Sequence, residues 1–133
     1  LIILDSEGVC LPVEYCDLSL PILTNFKSNP ELYPKGSTTT STNVLNSVAL
    51  IRYTKDNYSM IYDEISEFVF NENSEYEIIL KNGKTRIILG IKNLQDKIKY
   101  LSSFQETLKE EKNIEDFKYI DLRYSKQIIV KEA

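Results

Sequence analysis

The sequence contains no histidine, so it lacks the side chain that proteins use most often as general base, proton shuttle and transition-metal ligand. It also lacks tryptophan, and its two cysteines, Cys10 and Cys16, have no further cysteine or histidine at zinc-ligand spacing. These two thiols either form a disulfide, if the domain lies outside the cytoplasm, or pack as small hydrophobic side chains. The absences weaken most hydrolase and metalloenzyme interpretations, and no metal or other cofactor is expected.

Long apolar runs and basic clusters are missing as well. No apolar stretch approaches the ~20 residues that a membrane helix needs. Sixteen Lys+Arg against twenty Asp+Glu give a net charge of −4 without a concentrated basic segment, so nucleic-acid binding is not expected. With 133 residues, 42% of them hydrophobic, the composition predicts one folded domain over residues 1–133. Because the chain opens on Leu1, within what reads as the end of a strand, we expect it to be a piece of a longer protein.

The first part of the chain alternates short apolar runs with turn residues. Residues 1–4 and 9–13 flank a polar turn and predict an opening hairpin. Pro21 makes the next short apolar run an edge strand or an entry segment rather than a central strand. Residues 25–41, rich in proline, serine and threonine, predict a mobile loop.

Two segments have apolar residues at helical spacing. Residues 43–55 predict a helix that a polar side chain at 41–43 would cap, and residues 94–108 predict a second helix with Asn93 as its N-cap. Because Glu110 and Glu111 oppose the helix dipole at its end, packing must hold the second helix.

The remaining segments predict strands. Residues 65–70 alternate as a strand, and residues 76–80 and 85–91 flank Asn82-Gly83, the pair typical of a two-residue type I′ hairpin. That turn pairs Lys81 with Lys84 and thereby sets the register of the two strands. The predicted cross-strand pairs are Leu80 with Thr85, Ile78 with Ile87, Tyr76 with Leu89, Ile79 with Arg86, and Glu77 with Ile88. The second face of this hairpin is half polar, and the following helix could cover it.

A second hairpin, residues 117–124 and 127–131, closes the chain. The whole pattern predicts an α+β domain, with an antiparallel or mixed β-sheet of hairpins and about two packed α-helices.

Acidic, hydroxyl and glycine residues do not form a catalytic pattern. The acid-rich stretch Asp56, Asp63, Glu64 and Glu67 lacks the regular loop of a calcium site and is expected to be a solvated face. Serines and threonines have no histidine to activate them, and the four glycines are dispersed rather than grouped in a phosphate loop. The prediction is therefore that the domain is not an enzyme.

The last strand is unusual because Ile128, Ile129 and Val130 are consecutive, which places apolar side chains on both faces. Two interpretations remain open. The strand either lies at a sheet edge, where a partner strand would cover it, or lies inside the sheet, buried on both faces.

Four motifs, in order along nearly the whole chain, carry a resemblance to a known family. They are Ile3-Leu4-Asp5-Ser6-Glu7-Gly8-Val9, Leu20-Pro21-Ile22-Leu23, Leu80-Lys81-Asn82-Gly83-Lys84 followed by Leu89-Gly90, and Tyr119-Ile120-Asp121-Leu122-Arg123-Tyr124. Together they resemble the β domain of the FtsQ/DivIB bacterial cell-division proteins.

The resemblance implies a non-catalytic scaffold that aids septum assembly and the regulation of septal peptidoglycan synthesis. It implies FtsB-like and FtsL-like partners, with FtsB adding a strand to the last strand of the domain. It also implies a location on the extracytoplasmic (periplasmic) face of the bacterial cytoplasmic membrane, with a single membrane helix and a POTRA domain upstream of Leu1. The residues that it nominates for partner binding are Arg123, Tyr124, Ser125, Lys126, Gln127, Ile128, Ile129, Val130 and Lys131.

The sequence departs from the family pattern at several positions. Family members often carry a glycine in the final turn and an aromatic residue after the last strand, whereas Gln127 and Glu132 stand at roughly those places here. A basic residue used by some members before the central hairpin is also absent, because residues 73–75 are Asn, Ser and Glu, so no salt bridge is predicted from there.

Three further outcomes are weighed beside this hypothesis. The domain could be another extracytoplasmic module, from a POTRA-associated transport or outer-membrane assembly factor. It could be an enzyme with an acidic pocket around Asp63 and Glu67. An isolated domain could also form a homodimer through its free terminal strands.

Overall fold

A computed structural model describes residues 2–12, 20–108 and 110–132 of the chain. Cys16 and residue 13 of the predicted opening hairpin lie outside the described residues. The fold is α+β, as the sequence predicted. In chain order the elements are β1 (Ile3–Leu4), β2 (Cys10–Leu11), β3 (Ile22–Thr24), α1 (Thr42–Asn57), α2 (Ser59–Tyr62), β4 (Ile65–Phe70), β5 (Tyr76–Leu80), β6 (Arg86–Gly90), α3 (Leu94–Thr107), β7 (Phe117–Asp121) and β8 (Ile129–Glu132).

Six strands form one mixed sheet in the order β3-β4-β5-β6-β7-β8. The β3–β4 and β6–β7 pairs are parallel, and the others are antiparallel. The predicted opening hairpin is confirmed as a separate antiparallel pair, β1 with β2. The loop over residues 25–41 includes a 3₁₀ turn at Pro30–Leu32 and forms isolated bridges to Val9 and Cys10.

The hydrophobic core lies between one face of the sheet and the helices. A single row of paired residues crosses all six strands on this face: Leu23, Phe68, Ile78, Ile87, Ile120 and Val130. The four central members of the row are fully buried. Ile98 and Leu101 of α3 and Leu50 of α1 belong to the same buried cluster. The helices therefore cover this face, and the expectation that α3 covers the half-polar face is wrong.

The opposite sheet face, which we call the open face, carries Glu77 and Asp121 together with the half-buried Ile79 and Ile88. Arg86 pairs there with Glu77 at 2.8 Å. This face mixes apolar and charged residues, as an antiparallel sheet that meets solvent on one side commonly does.

Helix α1 begins where the sequence suggested. Ser41 is its N-cap, and the Ser41 hydroxyl accepts a hydrogen bond from the Val44 amide. Helix α3 begins differently, because Asn93 has a left-handed φ of 54° and its side chain makes no capping bond. Only its backbone carbonyl bonds into the helix, accepting from the Lys97 amide at 3.1 Å. No described helix is long and apolar enough to cross a membrane.

The central hairpin confirms most of the predicted register and corrects its turn. Gly83 is the turn residue with a positive φ, 73°, so the type I′ assignment is wrong. The Asn82 side chain explains the change, because its oxygen accepts from the amides of Lys84 and Thr85 at 3.0 Å each, which stabilises a longer loop. Lys81 does not pair with Lys84 and donates its amide to the Glu64 carbonyl instead.

A β-bulge changes the other end of this hairpin. The predicted pairs of Ile78 with Ile87, Ile79 with Arg86 and Glu77 with Ile88 are present. Tyr76, however, lies opposite Gly90 rather than Leu89. The extra residue of the bulge moves the register by one, and Gly90 adopts a φ of 81°.

Candidate protein-binding edge

Strand β8 forms one edge of the six-stranded sheet. Within the described ranges it pairs with β7 on one side and has no neighbour on the other. All four of its residues are exposed, including Ile129 at 40% and Val130 at 37%. Because Val130 shares the core face with Ile120 and Ile129 shares the open face with Asp121, apolar surface is exposed on both sides of the strand. Of the two interpretations left open by the sequence, the structure favours the edge strand.

A tight turn leads from β7 into β8. The Gln127 amide approaches the Tyr124 carbonyl at 3.5 Å, and Lys126 adopts a left-handed φ of 62°. Such a φ is unfavourable for a residue with a Cβ, and glycine is the usual occupant. The final turn therefore keeps a glycine-type backbone although its sequence has no glycine.

The nine nominated residues do not share one environment. Tyr124 to Gln127 and Ile129 to Lys131 are exposed, whereas Ile128 packs against the core and Arg123 is half-buried. We call residues 127–132 the terminal edge. Partner binding by these residues stays a prediction.

Arg123 is held inside the domain by Asp121. Its Nε lies 3.0 and 3.1 Å from the two Asp121 carboxylate oxygens, and its Nη2 lies 2.7 Å from Oδ2. The Arg123 amide also donates to Oδ1 at 3.0 Å. The Asp121 side chain is only 7% exposed, so the carboxylate of this bidentate pair is largely shielded from water.

Two further residues shape this arrangement. Arg123 Nη1 lies 3.3 Å from a carboxylate oxygen of Glu75, just before β5. To reach it, the arginine passes Gly90 of β6, where an added Cβ would lie 3.4 Å from Arg123 Cγ. We call Asp121, Arg123 and Glu75, with Gly90 beneath them, the arginine clamp. The expectation that residues 73–75 form no salt bridge is therefore wrong, because the acidic side chain of Glu75 pairs with Arg123 within the domain.

The clamp changes the acidity of its members. Burial alone would raise the pKa of Asp121, but hydrogen bonds from the Arg123 side chain and backbone outweigh it and hold that pKa below its usual value. The hydrogen bonds to Asp121 raise the pKa of Arg123, and burial opposes them. Lys97 of α3 lies near enough for its charge to favour ionised Asp121. Burial lowers the pKa of Lys97 itself, although Asp121, Asp96 and Glu75 oppose that shift.

The guanidinium also contacts the first exposed aromatic residue of the final turn. Arg123 Cζ lies 5.4 Å from the centroid of the Tyr124 ring, within cation–π distance. Tyr124 is 48% exposed, so its ring contacts the arginine and is still accessible in part to solvent.

Two other sequence features have structural roles. In the first motif, Asp5 Oδ1 accepts from the amides of Glu7 and Val9 at 2.9 Å each, and Gly8 supplies a φ of 83° against α1. In the acid-rich stretch, Glu67 accepts a hydrogen bond from Thr24. Across the described ranges, no group of three or more acidic or cysteine residues is arranged to hold a metal ion.

These features define a class: an α+β domain with one sheet face covered by helices and an exposed terminal strand that carries two apolar and two charged residues. A family model, described as "FtsQ/DivIB, C-terminal related", matches residues 2–131. The chain belongs to this family, as its motifs indicated. No curated protein matches the chain. The FtsQ/DivIB family is a family of non-catalytic cell-division scaffolds at the extracytoplasmic side of the membrane, so this is a cell-division domain.

Four members of this site were not nominated from the sequence: Glu75, Gly90, Lys97 and Asp121. Asp121 and Arg123 carried a usable signal, because residues two apart on a strand share a face. Glu75 lies 48 positions from Arg123, so no local pattern in the sequence joins the two residues.

Proposed function

We propose that this domain is a non-catalytic scaffold of the bacterial division machinery that binds an FtsB-like strand at the terminal edge. An FtsL-like protein would accompany that partner, and the complex would support septum assembly and the regulation of septal peptidoglycan synthesis. The parent protein would reach the membrane through a single-pass anchor upstream, with a POTRA domain between the anchor and this domain.

One observation carries the proposal. Among the residues that the structure describes, no strand pairs with the outer side of the terminal edge, which also carries exposed apolar side chains. Soluble proteins usually block such an edge with charge, proline or another element. Here Ile129 and Val130 are exposed on opposite faces of β8. An added strand would pair with the free backbone and cover both side chains at once.

Hydrogen exchange on the domain tests the location. The probes are synthetic segments of the FtsB-like and FtsL-like proteins of the same organism. We expect new protection at amides of residues 124–131 when the FtsB-like segment is added, with unchanged exchange in β4. Unchanged exchange over 124–131 at saturating peptide would contradict the proposal. Protection that grows with domain concentration, without peptide, would instead indicate a homodimer through β8.

Proline substitutions test the mode of binding. Along an antiparallel edge strand, consecutive amides point alternately toward the neighbouring strand and away from it. Of Ile129→Pro and Val130→Pro, one should therefore remove an outward amide and abolish binding without unfolding the domain. The other removes a bond to β7 and should lower the melting temperature. Retained affinity in both folded variants would refute strand addition.

A further inference from the structure

The arginine clamp joins three strands at the end of the sheet where β8 begins. Arg123 follows β7, passes Gly90 at the end of β6, and reaches Glu75 just before β5. Its planar guanidinium is fixed in two directions, by the two Asp121 oxygens and by the Glu75 carboxylate. Its position is therefore set by the sheet, not by the exposed turn.

The positive charge of Arg123 is already compensated within the domain. Two carboxylates, on Asp121 and Glu75, surround it. The Lys97 ammonium is the second cation nearby, and Asp96 is a third acidic group that acts on it. The cluster therefore holds two positive and three negative charges. Lys97 is itself anchored, because its Nζ donates to the carbonyls of Leu89 at 3.1 Å and Lys92 at 3.2 Å. An acidic partner residue would add to this negative excess, so Arg123 gains little from an external carboxylate.

On its exposed side, the arginine clamp contacts the ring of Tyr124. This ring sits against the guanidinium at the start of the turn, and that turn directs the chain into β8. Tyrosine is well suited to be an interface anchor, since it offers a large contact area with few rotatable bonds. An anchor held in one orientation before binding loses less entropy when the partner arrives.

We propose that Arg123 is a positioning residue for the terminal edge. Through the arginine clamp, Arg123 holds the Tyr124 ring ready for a partner, and it does not bind a partner carboxylate itself. This inference rests on the proposed function and specifies how the edge is prepared. It predicts that the partner needs an apolar surface beside Tyr124 and needs no acidic residue opposite Arg123.

A double-mutant cycle separates positioning from direct contact. Arg123→Lys keeps the charge but loses the bidentate, planar geometry, and we expect it to weaken binding of the FtsB-like segment about tenfold. In a Tyr124→Ala background the same change should weaken binding less than twofold, because the ring it positions is gone. Glu75→Gln, which removes a clamp partner away from the edge, should weaken binding only in the presence of Tyr124. Equal losses in both backgrounds would overturn the inference.

Arg86→Lys is the matched control. Arg86 is also an open-face arginine paired with a buried glutamate, but it has no aromatic contact at the edge. We expect its affinity for the segment to match the wild type within twofold. A loss equal to that of Arg123→Lys would mean that any open-face arginine matters, which contradicts a specific clamp.

The free domain provides a readout without a partner. We expect NMR to show that Arg123→Lys and Glu75→Gln shift the Tyr124 ring protons and increase ring mobility, whereas Arg86→Lys leaves both unchanged. An unchanged ring in both clamp variants would refute positioning. If the wild-type domain bound no segment, or both β8 proline variants bound normally, the proposed function would fail, and the NMR result would still decide the role of Arg123.

Discussion

Replacing Asp121 by asparagine should be among the most destabilising isosteric changes in this domain. Asp121→Asn keeps one oxygen that can accept from the Arg123 amide and Nε, but it loses the carboxylate charge and the 2.7 Å bond to Nη2. A hydrogen bond to a charged group contributes about 1.5–3 kcal/mol. Arg123 is 32% exposed and keeps Glu75, so it is partly rehydrated and the full cost of an unpaired buried charge does not apply.

We therefore expect a loss of about 2 kcal/mol in the free energy of unfolding. At roughly 3–4 °C per kcal/mol for a domain of this size, the melting temperature should fall by about 7 °C. Urea unfolding followed by circular dichroism measures the free energy directly. Glu132→Gln is the control, because its ion pair with Lys112 is exposed and should contribute less than about 0.5 kcal/mol.

The pH dependence of this difference has a defined sign. The folded pKa of Asp121 lies below that of an unfolded aspartate, about 3.9. Its stabilisation is therefore complete above that value and is lost as the pH falls through the folded pKa. The gap between wild type and Asp121→Asn should be constant near neutral pH and close in strong acid. A gap below about 0.5 kcal/mol at pH 7, or one that widens on acidification, would refute the reasoning.

Three further changes probe other parts of the fold. Gly8→Ala should cost about 2 kcal/mol in urea unfolding, because Gly8 has a φ of 83° and a Cβ there would lie 2.7 Å from Leu45 Cδ2; an unchanged midpoint would contradict this. Lys126→Gly should stabilise by about 0.5 kcal/mol, since relief of its left-handed strain exceeds the entropy that glycine adds to the unfolded chain; lower stability would argue against the observed turn. Glu115→Gln should raise the free energy of unfolding at pH 7 by about 0.5 kcal/mol or less, because Glu64 and burial raise the pKa of Glu115. The folded form favours protonated Glu115, so this gain should grow as the pH rises through the folded pKa and vanish below the unfolded one, and a gain that is largest in acid would refute it.

The sequence predicted the elements whose signal is local. The strand at Ile65–Phe70 has the expected bounds, and α1 begins at the expected cap because its capping hydroxyl and its apolar spacing agree. The pairing of Ile78 with Ile87 also followed from the chain alone, because a short hairpin restricts its own register.

The wrong predictions share a cause, since each depends on individual side-chain contacts or on contacts between distant parts of the chain. At Asn82, side-chain hydrogen bonds to two amides stabilised a different turn from the one that Asn-Gly favours on its own. At Gly90, a bulge moved the register by one residue. The described helices pack on the opposite face of the hairpin because helix position depends on the whole core, which a pattern within two strands does not contain.

The bulge at Tyr76 connects these corrections to the proposed function. With a regular register, Leu89 would face Tyr76. The bulge places Gly90 there instead, with a φ of 81° that favours glycine, and the Arg123 side chain passes close to it on the way to Glu75. The Leu-Gly and Asp-Leu-Arg-Tyr motifs, which are 31 positions apart between Gly90 and Asp121, thus meet in one structure. Three strands thus fix the arginine that contacts Tyr124, and the turn that leads into the terminal edge is tied to the sheet behind it by this contact.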